Sequence, residues 1–538
     1  MLNDEAFKLL KKDPLNKYKK QVNDCLKACN NIIADSEKKH LKINNPKIPK
    51  LYTLPKIHKP GDKMRPIVSS VNSPAYKLAK WMNKRLNLFE SFDSLSIKNS
   101  FDFVEKVKDI RLDKNDILVS FDVESLYPSI PLEKTKTLCR KWFEKNNISE
   151  KNIEEYMQII TVCTEQRFFQ FNNKFYIQKD GLTMGNPLSS ILSELFMSDL
   201  EMNVKESSSL FKHWSRKVDD IFAVIDRDKV DECLQLLNSI EDTVNFTVEI
   251  EKEGTLPFLD LKVIRVNNRL EFDIYRKPTH VDVYINEKAY NPREHKLAAF
   301  RSLIQRMIKV PLTPERLNRE RTRIIEIGQK NGFEASEINR IINTAKYKQR
   351  IRNITTLQKD CEERKWVSVN YHPAIYSDLK KVFKNYGLCV APKNKYNLRN
   401  IGMRNLKDET PVLKKSGIYK INCSGCEKVY IGQTKRDIET RAKEHARNIK
   451  NEETTKSAVA KHFWEAKHSI ELKPELLKSV TKVSQLNTAE KLYIFKHRAN
   501  VLNEDLDGLD NILFRALESK VQPHACNATT NSESVNNH

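Results

Sequence analysis

Apolar residues recur along this chain in two different periods. Asp116-Ile117-Leu118-Val119-Ser120-Phe121-Asp122 and Ile221 to Ile225 are short, continuous apolar runs, and they predict buried strands. Leu256 to Leu261 and Phe272 to His280 predict further strands and turns. Elsewhere the period is helical. Ile191 to Glu201 predicts a helix, and Leu297, Phe300, Leu303, Ile304 and Met307 recur at three- and four-residue steps within a helical stretch over residues 294–350, a theme that Glu334 to Lys346 repeats. The Lys-rich residues 1–45 predict helix with Cys25 and Cys29 on one face. Towards the C-terminus, Gly417-Ile418-Tyr419 and Tyr430-Ile431-Gly432 flank two short strands joined by a Cys423-Ser-Gly-Cys426 loop. A helix follows in which Arg441 and His445 share a face, and Thr488 to Ile494 predicts another. Residues 355–412 form a mixed connector, and the polar run from Pro392 to Pro411 suggests a domain boundary. The tail from Val521 to His538, rich in Asn, Ser and Thr, predicts disorder.

The polar positions inside the apolar runs carry the chemistry. Asp219 and Asp220 lie between Lys217-Val218 and the strand Ile221 to Ile225. Charge in such a place is costly unless it is paired or binds a cation. A turn would push both carboxylates out at a sheet edge, and Asp122 ends the other apolar strand. Three carboxylates at one point would make a two-metal phosphoryl-transfer site, with ions roughly 3.5–4 Å apart clamping the attacking and leaving oxygens. Between these strands, Asp180-Gly181-Leu182-Thr183-Met184-Gly185-Asn186-Pro187 precedes the helical run. Its glycines suggest a close backbone approach to a ligand, then a helix start.

Composition narrows the partners. The formal net charge of +23 over 538 residues favours a polyanion, nucleic acid before membrane. No apolar run reaches the roughly 18 residues of a membrane-spanning helix, and Met1 to Lys12 has no apolar signal-peptide region. The ten cysteines are scattered, apart from Cys25/Cys29 and Cys423/Cys426, which suits a reducing compartment.

The Asp122, Gly181–Ser190 and Asp219–Asp220 segments, in this order, resemble the palm motifs of reverse transcriptases. Leu51-Tyr-Thr-Leu-Pro-Lys-Ile-His-Lys-Pro60, Asp122-Val-Glu-Ser-Leu-Tyr-Pro-Ser-Ile-Pro131 and Leu256-Pro-Phe-Leu-Asp-Leu261 resemble the Penelope-like retroelements in particular. The resemblance implies an α+β multidomain chain: a right-hand polymerase followed by a small α/β nuclease domain. Its implied divisions are an N-terminal helical segment over 1–47, shortened relative to the family; fingers and palm over 48–285; a helical thumb over 286–354, its basic residues facing the duplex; a connector over 355–412; the nuclease over 413–510; and a tail over 511–538. Asp122, Asp219 and Asp220 would hold Mg²⁺ or Mn²⁺. Arg65 would hold the incoming deoxynucleoside triphosphate, since a guanidinium fork suits phosphate oxygens, and Lys56, Gly181 and Gly185 would be further substrate-binding residues. Tyr127 would be a steric gate against the 2′-hydroxyl. Lys217 departs from the family, which has a tyrosine there, and Asn291-Pro292 stands where the family has His-Pro.

The later motifs resemble the GIY-YIG endonucleases. By that resemblance Tyr419 or Tyr430, with His445, would activate water. Arg441 would stabilise the developing phosphate charge, Glu490 would hold a single metal, and Asn503 would position the site. Cys423 and Cys426, with His462 and His468, would hold a structural Zn²⁺, as Penelope-like endonucleases do. The whole implies a protein that nicks target DNA, uses the freed 3′-hydroxyl as primer and copies template RNA, with nuclear localisation implied by its substrate after synthesis in the cytoplasm. The alternative is a degenerate or domesticated copy that binds nucleic acid with little polymerase activity. A telomerase-type host polymerase is a third reading, against which the nuclease motifs argue.

Overall fold

The computed structural model describes residues 6–55, 64–90, 92, 94–207, 209–354, 365–394, 409–470, 472–480, 483–509, 512 and 514–515. The chain divides into two compact units, Met1–Lys42 with Ile48–Lys407, and Ile43–Lys47 with Asp408–His538.

The first unit is built on an antiparallel sheet of β7 (Phe211–Lys217), β8 (Asp220–Asp226), β4 (Asp116–Val123) and β9 (Phe246–Ile250), in that order. The central strands β8 and β4 are apolar on both faces because the sheet is sandwiched. Ile117, Val119, Phe121, Ile221, Ala223 and Ile225 face a large helical core that includes Leu192, Phe196 and Leu200 of the helix Ser189–Ser207. Leu118, Phe222 and Val224 face a second core, with Phe103 and the sheet of β10 (Thr255–Phe258), β11 (Leu261–Val266) and β12 (Arg269–Ile274). The expected strand pair is therefore central, and its carboxylates leave at the strand ends rather than at a sheet edge.

A five-stranded sheet has the order β1 (Phe7–Leu10), β6 (Lys174–Gln178), β5 (Phe168–Phe171), β2 (Lys50–Pro55) and β3 (Met64–Ser69). Residues 1–47 are thus not wholly helical: β1 pairs with β6 before the helix Leu15–Ala28 begins. Cys25 and Cys29 do share a face, with sulfurs 3.9 Å apart, and both are buried. The helices Ala298–Lys309, Pro314–Lys330 and Ala335–Ile354 enclose their own core of Phe300, Ile304, Ile324 and Ile338.

In the middle helix the expected basic residues are engaged in ion pairs, Arg319 and Arg323 while still exposed. Arg316 pairs with Glu271 at 2.7 Å, Arg323 with Asp282 at 2.6 Å, and Arg319 with Asp273, while Glu320 takes both terminal nitrogens of Arg276. The expected connector carries regular structure among its described residues. Within it, β13 (Lys365–Asn370), the helix Pro373–Asn385 and β14 (Leu388–Lys393) form a parallel β-α-β unit.

The second unit has a three-stranded antiparallel sheet ordered β16 (Val429–Thr434), β15 (Gly417–Asn422), β17 (Glu475–Ser479). Alternation along β15 sends Ile418 to one small core with the helix Leu486–Lys496. It sends Tyr419 and Ile421 to another core with Ile438 and Val459, from the helices Ile438–Lys450 and Ala458–Ala466.

Candidate polymerase and nuclease sites

Register brings the three aspartates of the first unit to one end of its central strands. Asp122 and Asp220 are direct partners across β4 and β8. Asp219 lies in the two-residue turn between β7 and β8, closed by the pair Lys217 and Asp220. Its carbonyl accepts from the Val123 N–H at 3.3 Å. Val218, the first turn residue, has φ +59°. A β-branched residue is a genuine outlier there, at a cost of order 1–3 kcal/mol, and such strain persists only where the surroundings over-determine it. Oxygen donors from three carboxylates fit a hard divalent cation such as Mg²⁺.

The glycine loop lies against this end of the sheet. The Leu182 N–H donates to the Tyr127 carbonyl at 2.7 Å, and the Val68 N–H of β3 donates to the Met184 carbonyl at 3.1 Å. Gly181 has φ +78°, and a Cβ on it would lie 2.1 Å from the Pro128 carbonyl oxygen; at Gly185, with φ +117°, a Cβ would lie 2.2 Å from that of Val68. The close approaches seen at these two glycines are to the chain's own backbone. The loop ties β3, which carries the exposed Arg65, to the turn that carries the half-buried Tyr127. Lys56 lies outside the described residues, as does residue 516 onward in the expected tail. Lys217 donates to the Lys98 carbonyl at 2.7 Å.

One buried feature escaped sequence reasoning. Arg216, fully buried on β7, bonds Glu194 and Glu201 of the helix Ser189–Ser207. Burial pulls its pKa down, and the bonds from these two carboxylates outweigh that and raise it. Trp214 and Arg216 fall on one face of β7, but an arginine in a polar run gives no sequence signal of burial.

In the second unit the expected residues converge. The Tyr419 hydroxyl lies 2.9 Å from His445 Nε2 and accepts from Arg441 Nε at 3.3 Å. His445 Nδ1 lies 3.2 Å from the Ser457 hydroxyl. Burial, then the Arg441 charge, pushes His445 down to about 4, so it is neutral at pH 7. Burial raises Tyr419 well above its ordinary value. Tyr430 is half-buried, on the same sheet face by register, with its ring 5.3 Å from that of His445. Gly432 leaves room for the Tyr419 ring: a Cβ there would lie 2.4 Å from its hydroxyl. Glu490 accepts from Gln433 Nε2 at 2.8 Å, and burial raises its pKa although the Gln433 hydrogen bonds, and then the Arg441 charge, oppose this. Arg441 itself is held by Glu444 at 2.9 Å. Asn503 makes two bonds to the Ile431 backbone, at 3.0 and 2.7 Å, and so pins its own segment to β16.

Cys423, Cys426, His462 and His468 place one donor atom each within 4.8 Å of one another, the group among the described residues that meets this measure. The three aspartates of the first unit are gathered by backbone register. Cys423 Sγ lies 3.5 Å from His468 Nδ1, and Cys426 Sγ 3.4 Å from His462 Nε2. Tetrahedral zinc with its ordinary bond lengths puts sulfur and nitrogen ligands about 3.5 Å apart, so this donor set fits that ion.

Residues 57–256 match the family described as reverse transcriptase (RNA-dependent DNA polymerase), and the chain carries such a domain. Residues 283–343 match the animal helix-turn-helix domain. Sequence reasoning found these helices but not that assignment; the short turns between successive helices were the available signal. No curated protein matches the chain. Among solved structures, it is similar to telomerase from Candida albicans in complex with a telomeric RNA fragment, with 12% identity over 56% of this chain and 61% of that one and a TM-score of 0.40. The Candida tropicalis telomerase gives 14% identity over 59% and 56%, with a TM-score of 0.33. A sicinivirus RNA-dependent RNA polymerase gives 11% over 64% and 74%, with a TM-score of 0.36. The chain thus spans 61% or less of these two Candida chains.

Proposed function

We propose that this chain is a retroelement protein of the Penelope-like kind, a reverse transcriptase joined to a GIY-YIG endonuclease. It nicks target DNA and copies template RNA into DNA from the freed 3′-hydroxyl. The observation that carries the polymerase half is the pairing of Asp122 with Asp220, beside Asp219, inside the segment that matches reverse transcriptases. Two Mg²⁺ held by these carboxylates would supply a lowered pKa at the primer hydroxyl and charge neutralisation at the departing pyrophosphate. Arg65 binds the incoming triphosphate, Tyr127 crowds its 2′ position, and the glycine loop holds the two together.

In the nuclease half, neutral His445 accepts a hydrogen bond from the Tyr419 hydroxyl at Nε2. As water attacks, its proton passes to the Tyr419 oxygen while the phenolic proton passes to His445, so the tyrosine ends neutral and the imidazole carries the added proton. Half-buried Tyr430 lines the same face, Arg441 stabilises charge on the scissile phosphate, and Glu490 holds a divalent cation. Zinc on the Cys423 group is structural. The helix-turn-helix match over 283–343 supports nucleic-acid contact by the helices read as a thumb.

A primer-extension assay on RNA and DNA templates tests the first half. Asp122→Ala and Asp220→Ala should abolish extension while primer–template binding is retained; extension equal to the parent would refute the assignment. The second reading, a copy that binds nucleic acid but extends poorly, is favoured by Lys217, and the same assay on the parent protein decides it.

A further inference from the structure

Arg216 is fully buried, yet it lies two residues before the strained Val218. A guanidinium has five N–H donors in a rigid fork. Here Nε reaches Glu201 Oε1 at 2.7 Å and one Nη2 contact reaches Glu201 Oε2 at 3.2 Å. Nη1 and Nη2 each reach a Glu194 oxygen at 2.9 Å. The remaining Nη1 donor reaches the Val218 carbonyl at 3.2 Å. Glu201 also accepts from Trp214 Nε1 at 2.9 Å and from the Leu95 N–H at 3.2 Å, so the cluster is held from several sides.

The Val218 carbonyl belongs to the middle peptide of the turn. Val218 has positive φ and Asp219 does not, the pattern of a type II′ turn, which favours glycine at its first central position. Flipping that peptide would turn it towards type I′ and drive Asp219 to positive φ, re-aiming its carboxylate. The Val218 side chain is 36% exposed, so packing alone gives it little hold.

We infer that Arg216 is a positioning residue. It locks the middle peptide of the turn and so aims Asp219 and Asp220, bracing them against the helix that begins at the glycine loop. The inference rests on the polymerase reading for its consequence, though its structural part does not.

The test uses the full chain with Arg216→Lys, Glu201→Gln, Val218→Gly and the pair Arg216→Lys/Val218→Gly. Lysine keeps the buried charge but lacks the fork. Arg216→Lys should slow single-turnover extension roughly 10- to 100-fold, the scale of a 1 Å misplacement, with KM for the nucleotide little changed. Val218→Gly should restore much of that rate, because glycine removes the steric cost that the arginine bond offsets; a merely core-filling arginine would not be rescued at residue 218. Hydrogen exchange of the peptide spanning 214–222 should also accelerate in Arg216→Lys. If that variant fails to fold, Glu201→Gln, which loosens the arginine without removing it, should show the same slowing and faster exchange. Parent-like extension, absence of rescue, or unchanged exchange would each overturn the inference. If the parent and Asp220→Ala extend alike, the polymerase reading fails instead, and the exchange comparison still decides the turn.

Discussion

His445 offers a sharp test of the nuclease site, because its burial has a thermodynamic consequence with a definite sign. Its ring is almost wholly buried between Tyr419 and Ser457, and its pKa falls from the ordinary 6.5 to about 4. Above pH 6.5 both the folded and unfolded chains carry it neutral, and the stability this provides is fully present. Between pH 6.5 and about 4 the unfolded chain takes up a proton that the folded site refuses, so stability falls as pH falls. Below about 4 the loss stops growing. The full gap corresponds to about 3 kcal/mol, and about 2 kcal/mol of it is lost by pH 5. Other groups of the chain add their own pH dependence, so the measurement is a difference between parent and variant. Parent and His445→Gln chains would be unfolded in urea at pH 7.5 and 5.0, with hydrogen exchange followed in peptides from β15 and β16. The parent should lose about 2 kcal/mol more than the variant between the two pH values. Equal losses would show that His445 is not held neutral by burial, and the proton-accepting role assigned to it would fall as well.

Two further outcomes separate structure from chemistry. Cys423→Ser should lose bound zinc and lower the melting temperature of the second unit, since a closed zinc site contributes directly to folding, whereas Glu490→Ala should keep both and lose only DNA nicking; metal analysis and a plasmid-nicking assay check each. Tyr127→Val should raise the ratio of ribo- to deoxyribonucleotide incorporation in primer extension, and an unchanged ratio would remove Tyr127 as the gate.

Much of the site was legible in one dimension because its chemistry sits in contiguous words. Asp219-Asp220 beside an apolar strand, Gly181 and Gly185 before a helix, and Cys423-Ser-Gly-Cys426 each bring their own local geometry. Apolar period alone distinguished the strands β4 and β8 from the helices of residues 298–354. Residues 7–10 read as helix because a four-residue strand has too few positions to show a period, and only its partner β6 makes it a strand.

What the linear chain alone determined was therefore the kind of element and the kind of donor at each place. Tertiary structure decided which groups meet. The β4–β8 register put Asp122 opposite Asp220, where a one-residue slip would have sent it to the other face. Folding also spent the glycines on backbone contacts, and it used the arginines of the middle helix in ion pairs with β12 and the Asp282 segment. Arg216 is the clearest case. A lone arginine in a polar run reads as solvated, because burying a charge is prohibitive without partners. Its partners Glu194 and Glu201 lie on a different element, and they come within reach only when the helix Ser189–Ser207 packs on the sheet.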